Sequence, residues 1–284
     1  MGVYRQIKDK FIMKNAREDW ASYRDGLTDL VLGLLEAADP ASGRVLIIGA
    51  GRCNDIDLRR LAVWAEKVIL LDVDGEAMEE AVLALPEELR RKVECQTASV
   101  TGISGDDMDA FCDEMLSFAR ASGRELTSDT LRRHLMAGLD GLEDKLVRSE
   151  DDLGGILQEE SADILVCSGV CSQYFSSLSF FLRSLIHSLQ EVLTDVDALE
   201  QEVHARIHGM DDIVIPVINR AFCRAARKAI VFGNEFMPDR PVEGAHRCIE
   251  DVRMHLRPEE THLLWDFNRA EGIGYDMLIQ ICRL

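Results

Sequence analysis

The sequence predicts an α/β fold, a doubly wound, mostly parallel sheet with an antiparallel hairpin at its C-terminal edge. Three observations carry this. Short apolar runs rich in β-branched residues alternate with stretches of helical spacing. The first run ends in a glycine turn, Gly49-Ala50-Gly51, and the second ends in an acid, Asp72. The closing HLLWDFNRAEGIGYDMLIQICRL reads as two strands joined by a glycine-containing turn.

Taken in order, residues 5 to about 38 keep helical spacing with no Gly or Pro before Gly26, and AADPASG closes them. Arg44-Val-Leu-Ile-Ile is a buried parallel strand entering the glycine turn. Residues 54–65 are helical, Lys67 to Asp72 is the second strand, Glu76 to Arg91 is helical, and Val93 to Thr97 is a third strand. From Gly102 to Glu160 the chain becomes acidic, Met-rich and Leu-rich, with breaks at Ser122-Gly123 and Gly154-Gly155, as in an inserted helical subdomain. Ala162 to Cys167 restores a buried strand, ending at Ser168-Gly169. Phe180 to Ile207 follows as a long helix, Val217 to Arg227 as a further helix, and Ala229 to Gly233 as a fifth strand. With the hairpin this makes a seven-stranded, Rossmann-like sheet with helical insertions. Its parts are a helical lead (1–40), the first half of the α/β domain (41–101), the insertion (102–160) and the second half (161–284).

The 284 residues carry 51 acids against 32 Lys and Arg, a net charge of −19 that repels phosphate backbones. Basic clusters at Arg59-Arg60, Arg90-Arg91-Lys92 and Arg132-Arg133 each sit beside acids in helical sequence, so they read as solvated faces and nucleic acid is not an expected partner. No apolar run suits a bilayer, and MGVYRQIKDKF lacks the apolar core of a signal peptide, so a cytoplasmic protein is expected, without membrane partners. Eight cysteines without CxxC spacing read as buried, reduced thiols.

In a doubly wound sheet, ligands lie beyond the carboxyl ends of the strands, so the residues following strands 1 to 4 share one crevice. There Gly49, Ala50 and Gly51 let backbone approach a ligand, and Asp72 is placed to accept from both hydroxyls of a ribose. The interval from Gly51 to Asp72 matches the roughly 20 residues expected between a glycine loop and a ribose acid. A dinucleotide site favours a third glycine where Asn54 stands, and Asp55 and Asp57 at a helix start would repel pyrophosphate. Those acids suit the amino and sulfonium charges of S-adenosylmethionine.

The chain here resembles the class I S-adenosylmethionine-dependent methyltransferases, over residues 44–101 and 161–284. RVLIIGAG, VILLDVDGEAM and SADILVCSGVCSQYF are similar to that family's first, second and strand 4 motifs, and the terminal hairpin to its last two strands. The resemblance implies that Gly49, Ala50 and Gly51 pass along the methionine and ribose, that Asp72 binds the ribose, and that Val73 contacts adenine. Ser168 and Gly169 would lie beneath the methionyl part. Asn54 and Asp55 complete the loop, while Ala98-Ser99-Val100 stands where an acid often binds the adenine amine, leaving Ser99, Val100 or backbone groups to substitute. Ile47 and Cys53 also depart from the pattern. The loop GAGRCNDIDL looks similar to a bacterial subgroup that includes methyltransferases of ribosomal peptide natural products, some acting on a C-terminal carboxylate.

Methyl transfer from a sulfonium needs little beyond positioning in a dry site, so a missing catalytic motif does not disqualify the reading. The chain has neither an Asn-Pro-Pro-aromatic signature nor a Pro-Cys pair, which argues against bases as acceptors. A hydroxyl acceptor would use a general base, for which Tyr174, His204 and His208 are candidates; a carboxylate would need none. His204 and His208 share a helix face but have no third ligand nearby in sequence, so they read as surface histidines and no metal is expected. Trp20 and Tyr23 are expected to dock the first helix on the sheet, with a cofactor lid as the competing role. Met108, Met115 and Met136 read as core, and the insertion as a cover for the acceptor pocket. The expected function is thus methylation of a small molecule or peptide, at oxygen before nitrogen. The competing readings are a nicotinamide-dependent oxidoreductase, which should lack the hairpin, and a non-catalytic nucleoside-binding module.

Overall fold

The computed structural model describes residues 2–10, 12–38, 43–237 and 242–284, so most of the closing AADPASG lies outside the described residues. Seven strands form one sheet: β1 (Arg44–Ile48), β2 (Lys67–Asp72), β3 (Val93–Thr97), β4 (Ala162–Ser168), β5 (Ala226–Glu235), β6 (Glu259–Asn268) and β7 (Ile273–Arg283). Their order is β3-β2-β1-β4-β5-β7-β6. The first five are parallel neighbours, and β7 runs antiparallel between β5 and β6. This is the predicted fold class.

The helices are α1 (Val3–Lys10), α2 (Ala16–Asp19), α3 (Ala21–Ala38), α4 (Leu58–Trp64), α5 (Gly75–Leu83), α6 (Glu87–Arg90), α7 (Gly105–Ser122), α8 (Ser128–Glu143), α9 (Ser176–Ser188), α10 (Val196–Ala225) and α11 (Glu243–Leu256). Successive strand residues point to opposite faces, which divides the core in two. Leu46, Ile48, Leu71, Leu165 and Cys167 join Met115 of α7, Leu135 of α8, Leu182 of α9 and Phe222 of α10. Val45, Ile47, Leu70, Ile164 and Val166 join Leu27 and Val31 of α3, Leu61 of α4 and Met78 of α5. Every residue of β4 is buried, which explains why central strands read as continuous apolar runs. Met108 and Met115 are core residues and Met136 packs against them, with α7 and α8 on the same face as α9 and α10.

Several boundaries differ from the sequence reading. Among the described residues the N-terminal lead is divided into α1, α2 and α3 rather than continuous. The helix expected over 54–65 starts only at Leu58, because the Asp57 side chain caps it by accepting from the Arg60 N–H. The stretch from Glu76 to Arg91 breaks at Pro86, which lacks an N–H to continue α5. Phe180 to Ile207 is interrupted after Ser188, whereas Val217 starts no new helix, since α10 runs unbroken through Pro216. That continuity rests on burial: Val214, Ile215, Val217 and Ile218 are all buried, and this packing outweighs one lost hydrogen bond. β5 begins at Ala226 and takes in Arg227, and α11 covers a stretch to which the sequence reading gave no element. Cys95 is exposed on the edge strand β3, unlike the buried thiols expected, and Cys223 is half-buried.

At the amino ends of the strands, Asp163 of β4 is buried and accepts from the Arg44 N–H at 2.9 Å and from Arg227 Nη2 at 2.8 Å, with Lys228 Nζ at 3.0 Å. Burial alone would raise its pKa, but these donors hold the carboxyl below its ordinary value. Arg60 pairs with Asp29, and Arg132 with Asp129 and Glu202. No helix among the described residues is long and apolar enough to cross a membrane.

Candidate functional site

The glycine loop leaves β1 with Gly49 at φ +66°, and its N–H returns to Leu71 O at 2.8 Å, tying the loop to β2. A Cβ at Gly49 would meet Val170 Cγ2 at 2.4 Å, so the position combines left-handed backbone with close approach and is suited to glycine. Cys53, which departs from the family pattern, also lies in the left-handed region at φ +52°. Helix α3 holds the rest of the loop from outside. Arg24 Nη1 donates to Asn54 O at 3.1 Å, and the Asp57 N–H donates to Thr28 Oγ1 at 2.9 Å.

At the end of β2, Asp72 Oδ2 accepts from the Gly51 N–H at 2.9 Å and Oδ1 accepts from the Asp74 N–H at 2.8 Å. Both oxygens are thereby oriented, and carboxylate oxygens accept more than one bond each. Gly49, Ala50, Gly51 and Asp72 are brought together as expected from spacing, and Val73 stands beside them, 48% exposed at the rim. Asp55 lies partly buried on the same loop. Burial, followed by the nearby Asp72 charge, pushes its carboxyl up to about 7 despite a lowering influence of Arg24. A carboxyl poised in this way gains most from an arriving cation. Asp57 differs: as the cap of α4 it is committed to the helix, not to a ligand.

After β3, Ser99 Oγ lies 3.0 Å from Thr101 Oγ1, while Val100 is buried in the core beside Ile103 and Met108. The Val100 side chain therefore packs inward, and contact there would fall to Ser99 or to backbone. After β4, Ser168 is buried with its Oγ 2.5 Å from Tyr23 OH. Gly169, at φ +65°, leaves room for Trp265, whose ring would be 3.4 Å from a Cβ there. Tyr23 stacks on Trp265 with centroids 5.2 Å apart, and Trp20 Nε1 donates to Phe267 O at 2.9 Å. These aromatic residues dock α3 on the sheet.

The base candidates need correction. Tyr174 OH is buried beside Cys171, Cys167 and Cys248, and burial raises its pKa well above the ordinary value. Its ring packs against the core. His204 and His208 both face Glu243 on α11, and neither meets the glycine loop. Sequence reasoning missed Asn234 and Glu235 at the carboxyl end of β5. Ser172 Oγ donates to Glu235 Oε1 at 2.9 Å, whereas Glu235 Oε2 and both polar atoms of Asn234 have no hydrogen-bond partner. Burial raises the Glu235 pKa, which makes it a better proton acceptor than an ordinary carboxylate. The rule applied to strands 1 to 4 would have found this pair, had strand 5 been extended past Gly233.

No protein-family model matches the chain, and no curated protein matches it. Solved structures similar in fold include the N-methyltransferase NodS from Bradyrhizobium japonicum WM9 in complex with S-adenosyl-L-homocysteine. It shares 12% identity at a TM-score of 0.45, covering 100% of this chain and 98% of that one. A S-adenosylmethionine-dependent methyltransferase from Aquifex aeolicus shares 10% at 0.44, with 98% of each chain covered. Magnesium protoporphyrin IX methyltransferase from Synechocystis PCC 6803, with bound S-adenosylmethionine, shares 11% at 0.40, covering 98% of this chain and 89% of that one. These likenesses are too distant to assign an activity.

Proposed function

We propose that this protein is an S-adenosylmethionine-dependent methyltransferase acting on a small molecule or peptide, at oxygen in preference to nitrogen. The observation that carries the reading is the Asp72 carboxylate, held by the Gly51 and Asp74 N–H groups beside the glycine loop that carries a second acid, Asp55. A dinucleotide would need the N-terminus of α4 for its pyrophosphate, and Asp57 fills that position with a carboxylate. The antiparallel β7 also departs from the all-parallel strand order 3-2-1-4-5-6 of dinucleotide folds. Both features disfavour the oxidoreductase.

Bound in this crevice, S-adenosylmethionine supplies an electrophilic methyl group. Asp72 would hold the ribose, Asp55 would meet the cationic tail and Val73 would flank the adenine, while the glycine backbone at Gly49 and Gly51 would form the bend along which the cofactor lies. Glu235 is placed to take the proton of a hydroxyl acceptor, while a carboxylate acceptor requires no base. The insertion, with α7 and α8, covers the acceptor. A peptide C-terminal carboxylate, as in modification of ribosomal natural products, is the acceptor class that the loop resemblance favours. A small precursor-peptide gene next to this one would support it. The net charge of −19 disfavours nucleic acid, and the unpaired cysteines suit the reducing cytoplasm.

Calorimetry with S-adenosylhomocysteine and NAD tests the reading. Each hydrogen bond to the ribose acid contributes about 1.5–3 kcal/mol, so Asp72→Ala is expected to weaken S-adenosylhomocysteine by ~100-fold or more. Tight NAD binding with no S-adenosylhomocysteine binding overturns it. Methyl transfer to an acceptor panel then separates an enzyme from a silent binding module.

A further inference from the structure

Away from the glycine loop, α10 meets the first turn of α11 through a compact group of ligating side chains. His204 Nε2 lies 3.1 Å from Glu243 Oε1, and His208 Nε2 contacts Glu243 Oε2. The two imidazoles stand edge to face with centroids 4.4 Å apart. One ligand atom from each of the three residues lies within 4.8 Å of the other two. Donors around a tetrahedral ion with bonds of about 2.0–2.2 Å stand roughly 3.3 Å apart, so small side-chain rotations suffice to close the set.

As plain ion pairs the arrangement is poor. One carboxylate would serve two imidazolium rings, and those like charges would lie against each other. Two neutral imidazoles and a carboxylate are instead a recurrent donor set for zinc. The helix supplies the preorganisation: positions i and i+4 of a 30-residue helix lie on one face, and the third ligand comes from another element. One turn further along, Asp211 is buried with its Oδ1 lacking a hydrogen-bond partner.

We propose that His204, His208 and Glu243 form a binding site for a divalent transition metal of the zinc class, with water completing its coordination. The ion joins α10 to α11 where α11 abuts the loop after β4. A Cβ at Gly244 would be 2.2 Å from Cys171 O and 3.4 Å from Asp211 Oδ1, so α11 is closely packed against the loop after β4. The ion therefore acts as a clamp between α10 and α11, and its presence does not depend on the methyltransferase reading.

The test uses the full-length chain stripped with a chelator, titrated with Zn²⁺ by calorimetry and with Co²⁺ by visible absorption. One equivalent is expected to bind with micromolar or tighter affinity, with cobalt d–d bands and no thiolate charge-transfer band. Loss of one ligand in His204→Ala or Glu243→Gln is expected to weaken binding by about tenfold or more, and the His204→Ala/His208→Ala double variant by ~100-fold or more. Both histidines are at least partly exposed, so circular dichroism should show these variants folded. Absence of saturable binding, binding unchanged in the double variant, or a thiolate band marking capture by cysteines would each overturn the proposal.

Discussion

At the amino ends of the strands, Asp163 is buried and surrounded by donors from three residues; at the carboxyl ends, Glu235 is also buried, yet one of its oxygens has no hydrogen-bond partner. Burial pushes both carboxyls up, but the donors around Asp163 bring it below its ordinary value while Glu235 stays raised. The difference teaches where each kind of residue is used. Satisfied charge joins β1, β4 and β5 at one end and serves stability. At the other end Glu235 Oε2 has no hydrogen-bond partner within the protein and is available to a ligand.

Three substitutions sharpen this contrast. The largest effect on stability is expected from Asp163→Ala, which strands the Arg44 N–H and two basic side chains. Because Arg227 and Lys228 are about two-fifths exposed, solvent relieves part of the loss, leaving about 3 kcal/mol in urea denaturation. S-adenosylhomocysteine affinity should be unchanged; a large loss of binding would show that the two ends are not separable.

Glu235→Gln should act in the opposite sense. A carboxyl whose folded pKa is raised contributes stability that is fully present below its unfolded pKa and is lost as pH rises through the folded value. The wild type should therefore lose stability as pH climbs above the ordinary glutamate range, and the amide should remove that slope. The variant is expected to be more stable at pH 8 by about 1–2 kcal/mol, read from Tm across pH. A steeper slope in the variant would remove Glu235 from the unsatisfied group.

The smallest effect is expected from Tyr23→Phe, which deletes the hydroxyl beside Ser168 but keeps the ring on Trp265. About 1 kcal/mol should be lost on thermal unfolding. No change at all would mean that the aromatic packing alone docks α3.

The strands were legible because buried parallel strands are continuous apolar runs, and β1 to β4 lie within a residue of their expected ends. Helix ends were less legible. Asp57 looks like a loop acid until its carboxylate is seen accepting the Arg60 N–H, and Pro216 looks like a break until the surrounding burial is seen. Of the candidate site, the juxtaposition of Gly49, Gly51 and Asp72 was legible from spacing, whereas the burial of the Tyr174 hydroxyl was not, because sequence does not reveal which way a side chain after a strand turns.

By itself the sequence determined the seven-stranded alternation, the glycine bend and the acid that follows β2, because these depend on local periodicity and short-range spacing. Only the tertiary structure decided that Glu235 lies at the same end of the sheet as Asp72, and that Glu243 faces His204 and His208. Those meetings join residues distant along the chain, and their positions follow from how strands and helices pack.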